Sequence, residues 1–416
     1  MRLYIDPGTG SMLFTVLIAV IGSLIYLLRG LKVRMGALLS RKKAGGDEKD
    51  QVPLIIFSDH KRYWDVFEPI CDELERRGQD AVYMTESPDD PALEKHYSHI
   101  RCEWIGEGNK AYARLNFEKA RMMLATTPGL DVYQWKRSKD IPFYVHIAHA
   151  PGDITRYRMF GLDYYDAILL SGEYQAGQIR RLEEIRHLPE KELRIVGLPF
   201  MDTMRERVRS LPPLPPAPNG ERTVLLAPSW GPSSILNVCG DAVLEALLAT
   251  GYRIILRPHP QSFASEKELI RSLQEKYPDG DRLEWNRDND NFEVLRRADI
   301  LISDFSGVMF DFSLIFDKPV IYTDTSFDKG PYDCWWLDEP LWTFEVLPKL
   351  GLQLNQENLP RVKELIDRCL EDPAFQAGRD AARAETGQYP GEGARRVVDY
   401  LTEKLASRED AGEAAS

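Results

Sequence analysis

Short apolar runs alternate with amphipathic segments along most of this chain, so the pattern switches repeatedly between the period of a buried strand and that of a helix. Pro53 to Ser58 reads as a strand, Tyr63 to Arg77 as an amphipathic helix closed by Gly78, and Asp80 to Met84 as the next strand. That is one right-handed βαβ unit. Met122 to Thr126, Phe143 to Ile147, Ala167 to Ser171 and Leu193 to Val196 continue the series. Leu211 to Gly220 interrupts it with five prolines, which lock the backbone and remove donors, and is expected to link two domains. From Thr223 the alternation resumes. Strands are predicted to end at Ala227, Leu256, Ile302 and Thr323, helices to lie near Gly240 to Thr250, Ser265 to Lys276 and Val308 to Phe316, and further helices to occupy much of Asn358 to Leu405. The expected fold class is α/β, with two doubly wound Rossmann-like domains at 53–211 and 221–405, a linker at 212–220 and a disordered tail at 406–416.

The N-terminal segment breaks this pattern. Met12 to Leu28 runs for 17 residues without a charge, about 26 Å as a helix, which approaches the thickness of a bilayer core. Arg29, Lys32, Arg34, Arg41, Lys42 and Lys43 follow it with no acidic residue among them. A cleaved signal peptide carries its positive charges before the apolar stretch. The positive-inside rule therefore predicts an N-terminal transmembrane helix at 1–30, a basic tether at 31–52, an outside N-terminus, and cytoplasmic domains at the cell membrane.

Composition narrows the function classes. A net charge of −12 disfavours a nucleic-acid partner. Five scattered cysteines with no C-x-x-C pair indicate neither a disulfide framework nor a zinc site. His146 and His149 form an H-x-x-H pair, but alternation along a strand points them to opposite sides and no third ligand follows, so no metal site is predicted.

Two strand ends carry the candidate chemistry. Ile300 to Ile302 is a buried strand, Ser303, Asp304, Ser306 and Gly307 form a tight polar turn, and Val308 onward resumes as a helix whose first N–H groups favour an anion. Tyr252 to Leu256 is another apolar strand, ending in Arg257 and His259. Both ends belong to the carboxyl edge of one sheet, where α/β proteins bind ligands. Helix capping alone would also account for Ser303, Ser306 and His259.

These segments resemble the CDP-glycerol glycerophosphotransferases, the teichoic-acid primase and polymerase family. Its R-x-H-P strand end is matched by Arg257-Pro258-His259-Pro260, and its S-D-[YF]-S-x-x-x-F-D pattern by Ser303 through Asp311. Ala227-Pro228-Ser229-Trp230 and Gly197 to Asp202 are similar to two further family segments. The resemblance implies a GT-B architecture and transfer of glycerol phosphate, or a related polyol phosphate such as ribitol phosphate, from a CDP-linked donor to a hydroxyl of a lipid-linked or polymeric glycan acceptor. On this view Arg257, Ser303, Asp304, Ser306, Gly307 and Asp311 hold the donor, and His149 and His259 are catalytic, His149 as the base matching the family's W-H-G histidine. The loop around His149 departs from that motif, with Ala148 and Ala150 as neighbours. His60, Lys61 and Asp153 are the expected acceptor-side contacts, although solvation would explain Asp153 equally well. Magnesium is left open, as is oligomeric state. Two rivals stand beside this reading: a GT-B glycosyltransferase using a nucleotide sugar, and a non-catalytic scaffold that binds nucleotide or polymer.

Overall fold

The computed structural model describes residues 52–215, 220–288, 290–304, 306–323 and 328–413. Seven strands form an N-terminal sheet: β1 (Val52–Ser58), β2 (Ala81–Thr85), β3 (Ile100–Trp104), β4 (Ala120–Ala125), β5 (Tyr144–Ile147), β6 (Ala167–Leu170) and β7 (Glu192–Ile195). Six form a second sheet: β8 (Thr223–Leu226), β9 (Arg253–Leu256), β10 (Leu283–Trp285), β11 (Ile300–Ser303), β12 (Val320–Thr323) and β13 (Gly351–Leu354). Their orders are 3-2-1-4-5-6-7 and 10-9-8-11-12-13, and every pairing is parallel. The strand order reverses between β1 and β4 and again between β8 and β11. Each reversal opens a crevice at the carboxyl ends of the strands.

The sequence of β1 explains why the N-terminal sheet is covered on both faces. Leu54 and Ile56 point into a core shared with Phe67 and Ile70 of the helix Trp64–Arg76, while Ile55 and Phe57 point into an opposite core with Leu115 and Trp135. A strand that alternates its side chains between two buried layers must be apolar throughout, as this one is.

Two expectations are corrected here. The chain does not finish in the C-terminal lobe as the 221–405 division has it: its last helix, Gly393–Glu413, lays Val397, Val398, Tyr400 and Leu401 into the N-terminal core against Leu54 and Phe67. That packing also carries helix into the segment expected as a tail. The second correction concerns the membrane. The apolar stretch 12–28 and its basic tether lie outside the described residues, and among the described residues no helix is long and apolar enough to cross a bilayer. Even the 21-residue final helix carries Arg395, Arg396, Asp399, Glu403, Lys404 and Arg408 along its length. The transmembrane helix is therefore withdrawn from the fold class, and the single-pass cell-membrane localisation with it.

Two carboxylates lock the lobes together. Asp153, in the loop after β5, accepts from the Trp342 and Thr343 amides at 2.8 and 2.9 Å, capping the helix Trp342–Leu350 of the other lobe. Asp333, from the C-terminal half, accepts from the Phe160 amide at 2.8 Å and from Arg186 Nη1 at 2.7 Å. Arg186 also reaches Asp163 at 2.5 Å, and all three charged side chains are nearly enclosed. Breaking a buried pair strands the other charge. Asp333→Ala is expected to cost about 3 kcal/mol of stability, the low end of the range because Asp163 still serves Arg186. Urea unfolding of the two proteins checks this, and an unchanged midpoint contradicts it.

Candidate active site

The N-terminal wall of the interlobe cleft is built around His149. It leaves β5 two residues after Ile147, in a loop tied down by Gln175, whose Nε2 donates to the Gly152 carbonyl at 2.8 Å. Thr126 Oγ1, just past β4, donates to the Ile147 carbonyl at 2.9 Å and lies 2.9 Å from His149 Nδ1. Where that proton stays on the carbonyl, the threonine oxygen meets Nδ1 as an acceptor and the imidazole proton is assigned to Nδ1. Nε2 is then the unprotonated nitrogen. Tyr157 Oη, 3.2 Å from the same Nδ1, also reaches Nε2 of the fully buried His146 at 3.3 Å. Burial, reinforced by the positive charge of Arg62, lowers the His149 pKa to about 4, so the ring is neutral near pH 7.

A histidine of the C-terminal lobe, outside the cavity lining, has the opposite tautomer. His259 caps the helix Pro260–Ser265, its Nδ1 accepting from the Gln261 amide at 3.1 Å. Nδ1 is therefore the bare nitrogen, and in the neutral ring Nε2 bears the proton. Burial first and Arg62 second push its pKa below the usual histidine value. Beyond it, Gly307 precedes the helix Val308–Ile315, whose Met309 and Phe310 amides donate to the Ser306 and Gly307 carbonyls at 3.2 and 3.0 Å. Gly307 and Phe310 meet His149, Gly152, Arg156 and Tyr157 around one cavity of about 340 Å³ between the lobes.

The remaining predicted residues fall into two groups. Some are engaged in holding the frame. Ser303 Oγ donates to the Ala227 carbonyl, and Asp304, 1 % exposed, accepts from the Ser229 amide at 3.0 Å and the Ile235 amide at 3.2 Å, shaping the loop after β8. His60 caps a short turn through the Arg62 amide at 3.1 Å, Lys61 pairs with Asp89 on the surface, and Asp153 is the interlobe cap. Others lie at or after the ends of β9 and β11, outside the cavity lining. Arg257 emerges from β9 with Nη1 donating to Asn286, and the backbone carbonyl of Ser306 accepts from the Met309 amide at 3.2 Å as the helix Val308–Ile315 begins. Asp311 lies on that helix outside the cavity lining, and burial with no compensating charge raises its carboxyl to about 7. Among the described residues, no group of three or more His, Cys, Asp or Glu side chains converges as metal ligands.

Sequence reasoning passed over Arg62, Thr126 and Tyr157. Arg62 lies 4.8 Å over the Tyr63 ring, which in turn sits 5.0 Å from the His149 ring, and its charge is felt by His149 on one wall and His259 on the other. Its place just after β1, on the carboxyl edge, was the available signal.

Comparison with known proteins bears on the fold. A family profile described as CDP-Glycerol:Poly(glycerophosphate) glycerophosphotransferase matches residues 163–333. The wall teichoic acid polymerase TagF, solved with CDPG, has a TM-score of 0.56 at 16% identity, covering 92% of this chain and 98% of its own. The S. aureus MnaA–UDP structure scores 0.57 at 12% identity, covering 86% and 97%. The UDP-GlcNAc 2-epimerase from Neisseria meningitidis bound to UDP-GlcNAc scores 0.54 at 12% identity, covering 84% and 99%. The fold is GT-B-like. Transferase and epimerase structures resemble it equally, so the fold does not choose between their chemistries. No curated protein matches the chain.

The tautomer assignment is open to direct measurement. In an 15N-resolved NMR titration, His149 should keep a protonated Nδ1 and a bare Nε2 from pH 8 down to pH 5, and gain its second proton only near the lowered value of about 4. Titration at or above 6.5 would contradict the burial argument.

Proposed function

We propose that this chain is a GT-B-fold transferase that moves glycerol phosphate, or a related polyol phosphate, from a CDP-activated donor to a hydroxyl of a glycan acceptor. The observation that carries the reading is the cavity between the lobes that places the neutral His149 beside Gly307, the residue before the helix that follows β11. An acceptor hydroxyl oxygen attacks the glycerol-bearing phosphorus, the bond from that phosphorus to the bridging oxygen breaks, and CMP departs. His149 Nε2 takes the hydroxyl proton. His259 Nε2–H donates to the phosphate oxygens of the departing CMP, while Arg62, Arg257 and the amides at Gly307 offset the charge that collects there. A base whose conjugate acid has a pKa of about 4 is weak but fully available at neutral pH, and positioning supplies the remainder. The match of residues 163–333 to the glycerophosphotransferase profile supports the choice of donor. A UDP-sugar epimerase is the second reading, favoured by a UDP-N-acetylglucosamine 2-epimerase structure that scores 0.57 beside 0.56 for TagF.

His149→Ala should lower CMP release from CDP-glycerol by about 10²–10⁴-fold in the presence of a poly(glycerol phosphate) acceptor, with CDP affinity unchanged. His259→Ala should weaken CDP binding and rate together. Steady-state kinetics with nucleotide analysis checks both. Undiminished turnover in His149→Ala removes the base, and turnover of UDP-N-acetylglucosamine in place of CDP-glycerol transfers the protein to the epimerase reading.

A further inference from the structure

A second cavity, of about 1010 Å³, shares no lining residue with the one at His149. Two passages of the chain between the lobes border it: the helix Pro199–Ser210, which leads from β7 toward the linker, and the turn that carries the chain from the helix Pro373–Thr386 into the final helix. Its charged lining consists of Arg205, Arg207, Arg209 and Arg383 against Asp202 and Glu206. In a chain of net charge −12 that excess of cation is local. The two acids do not neutralise it. Asp202 accepts from the Gly391 and Gly393 amides at 2.8 and 3.0 Å, and Glu206 approaches Arg209 only to 3.9 Å, both side chains being largely exposed. From outside the lining, Asp317 holds Arg383 at 2.7 Å and Asp290 reaches Arg207 at 3.4 Å.

Arg205, half-buried, forms no ion pair among the described residues. Its Nε and Nη2 both donate to the Leu314 carbonyl at 3.3 Å, at the end of the helix Val308–Ile315, which leaves Nη1 for another acceptor. Arg209 follows one helical turn later on the same face, a spacing at which like charges repel. Burial lowers the Arg205 pKa, and Arg383 and Arg209 lower it further against the pull of Asp202. Space is kept open at the same guanidinium. Gly387 has a φ of −130°, outside the left-handed region, so conformation does not call for a glycine there. A Cβ at that position would lie 3.4 Å from Arg205 Nη1 and 3.1 Å from the Arg383 carbonyl. The helix dipole explains Arg207 and Arg209, which stand in the last turn of their helix. It does not explain an arginine without a carboxylate at the cavity wall. Guanidinium groups take phosphate oxygens in paired hydrogen bonds, and a cavity of this size suits an organic ligand rather than a bare ion.

We propose that this cavity is a second anion site, which binds a phosphate-bearing organic molecule through Arg205 and Arg209, with Arg383 adding charge, where the chain crosses between the lobes. The site uses none of the residues assigned to the donor or the base, so it stands apart from the transferase reading.

The test is a titration of the full chain, labelled with 15N-glycine, with two probes: glycerol 3-phosphate, a free phosphomonoester, and an oligo(glycerol phosphate), a phosphodiester chain. Gly387 and Gly391 border this cavity, whereas Gly152 and Gly307 border the one at His149, so their amide signals report the two sites separately. The Gly387 and Gly391 signals should move saturably with at least one probe, and the tighter probe tells a free metabolite from a polymer. Arg205→Gln and Arg209→Glu should each raise the half-saturating concentration by about tenfold, and Arg257→Ala should leave it unchanged. Arg209 is exposed, so Arg209→Glu decides the matter if the thermal midpoint shows that Arg205→Gln unsettles the fold. Shifts confined to Gly152 and Gly307, no shift with either probe, or the same half-saturation in Arg209→Glu as in wild type would overturn the site. Binding here in a protein that releases no CMP from CDP-glycerol leaves the site standing while the transferase reading falls.

Discussion

Everything at the cleft depends on two carboxylates that cross between the lobes. Asp153 caps a helix of the opposite lobe, and Asp333 reaches back to the Phe160 amide and Arg186. Neither lobe alone holds both His149 and Gly307, so the cavity between them exists only at the separation these contacts set. A carboxylate that caps a helix across a domain boundary fixes angle as well as distance, because its oxygens must face the axis of the helix it caps. Catalysis by positioning requires that kind of tolerance, since small displacements of reacting groups are costly in rate. The final helix adds a third tie by returning the chain from the C-terminal lobe to the N-terminal core.

Within that frame, the functional assignment follows from local hydrogen bonding. With the Thr126 proton on the Ile147 carbonyl, His149 is assigned a protonated Nδ1 and a bare Nε2. The Gln261 amide occupies His259 Nδ1 and so obliges its Nε2 to keep a proton. The histidines carry no intrinsic label of base or donor. The atoms behind them supply it, and both rings stay neutral because burial and Arg62 each disfavour the imidazolium. Arg62 thus acts on both rings, its charge disfavouring the imidazolium of each.

Much of this was legible from residue patterns, and the exceptions have physical causes. The inner strands β1, β4, β8, β9 and β11 are buried over most of their length and carry runs of apolar residues there, which makes them visible. Strands β3, β10 and β13 lie at sheet edges, where Arg101, Glu103, Glu284 and Gln353 interrupt any apolar run, and the pattern does not mark them. The return of the last helix to the first lobe is a long-range contact that local periodicity does not encode. Ser303 and Asp304 were singled out beside the phosphate turn for good reason, yet a polar residue at a strand end can serve the loop behind it as well as a ligand in front. Only geometry separates these roles, and it assigns both side chains to the loop. Arg62 was hidden because an exposed arginine in a charged turn looks like any solvated arginine, and only the three-dimensional structure shows its charge reaching His149 and His259. The apolar stretch 12–28 satisfied a length criterion, but the described residues contain no membrane-spanning helix.

The account is tested most directly by calorimetric titration of the full chain with CDP-glycerol and, separately, with UDP-N-acetylglucosamine. It predicts saturable binding of CDP-glycerol at one site per chain, abolished by Arg257→Ala, with no comparable heat from the UDP sugar. Binding of UDP-N-acetylglucosamine with no binding of CDP-glycerol would contradict it.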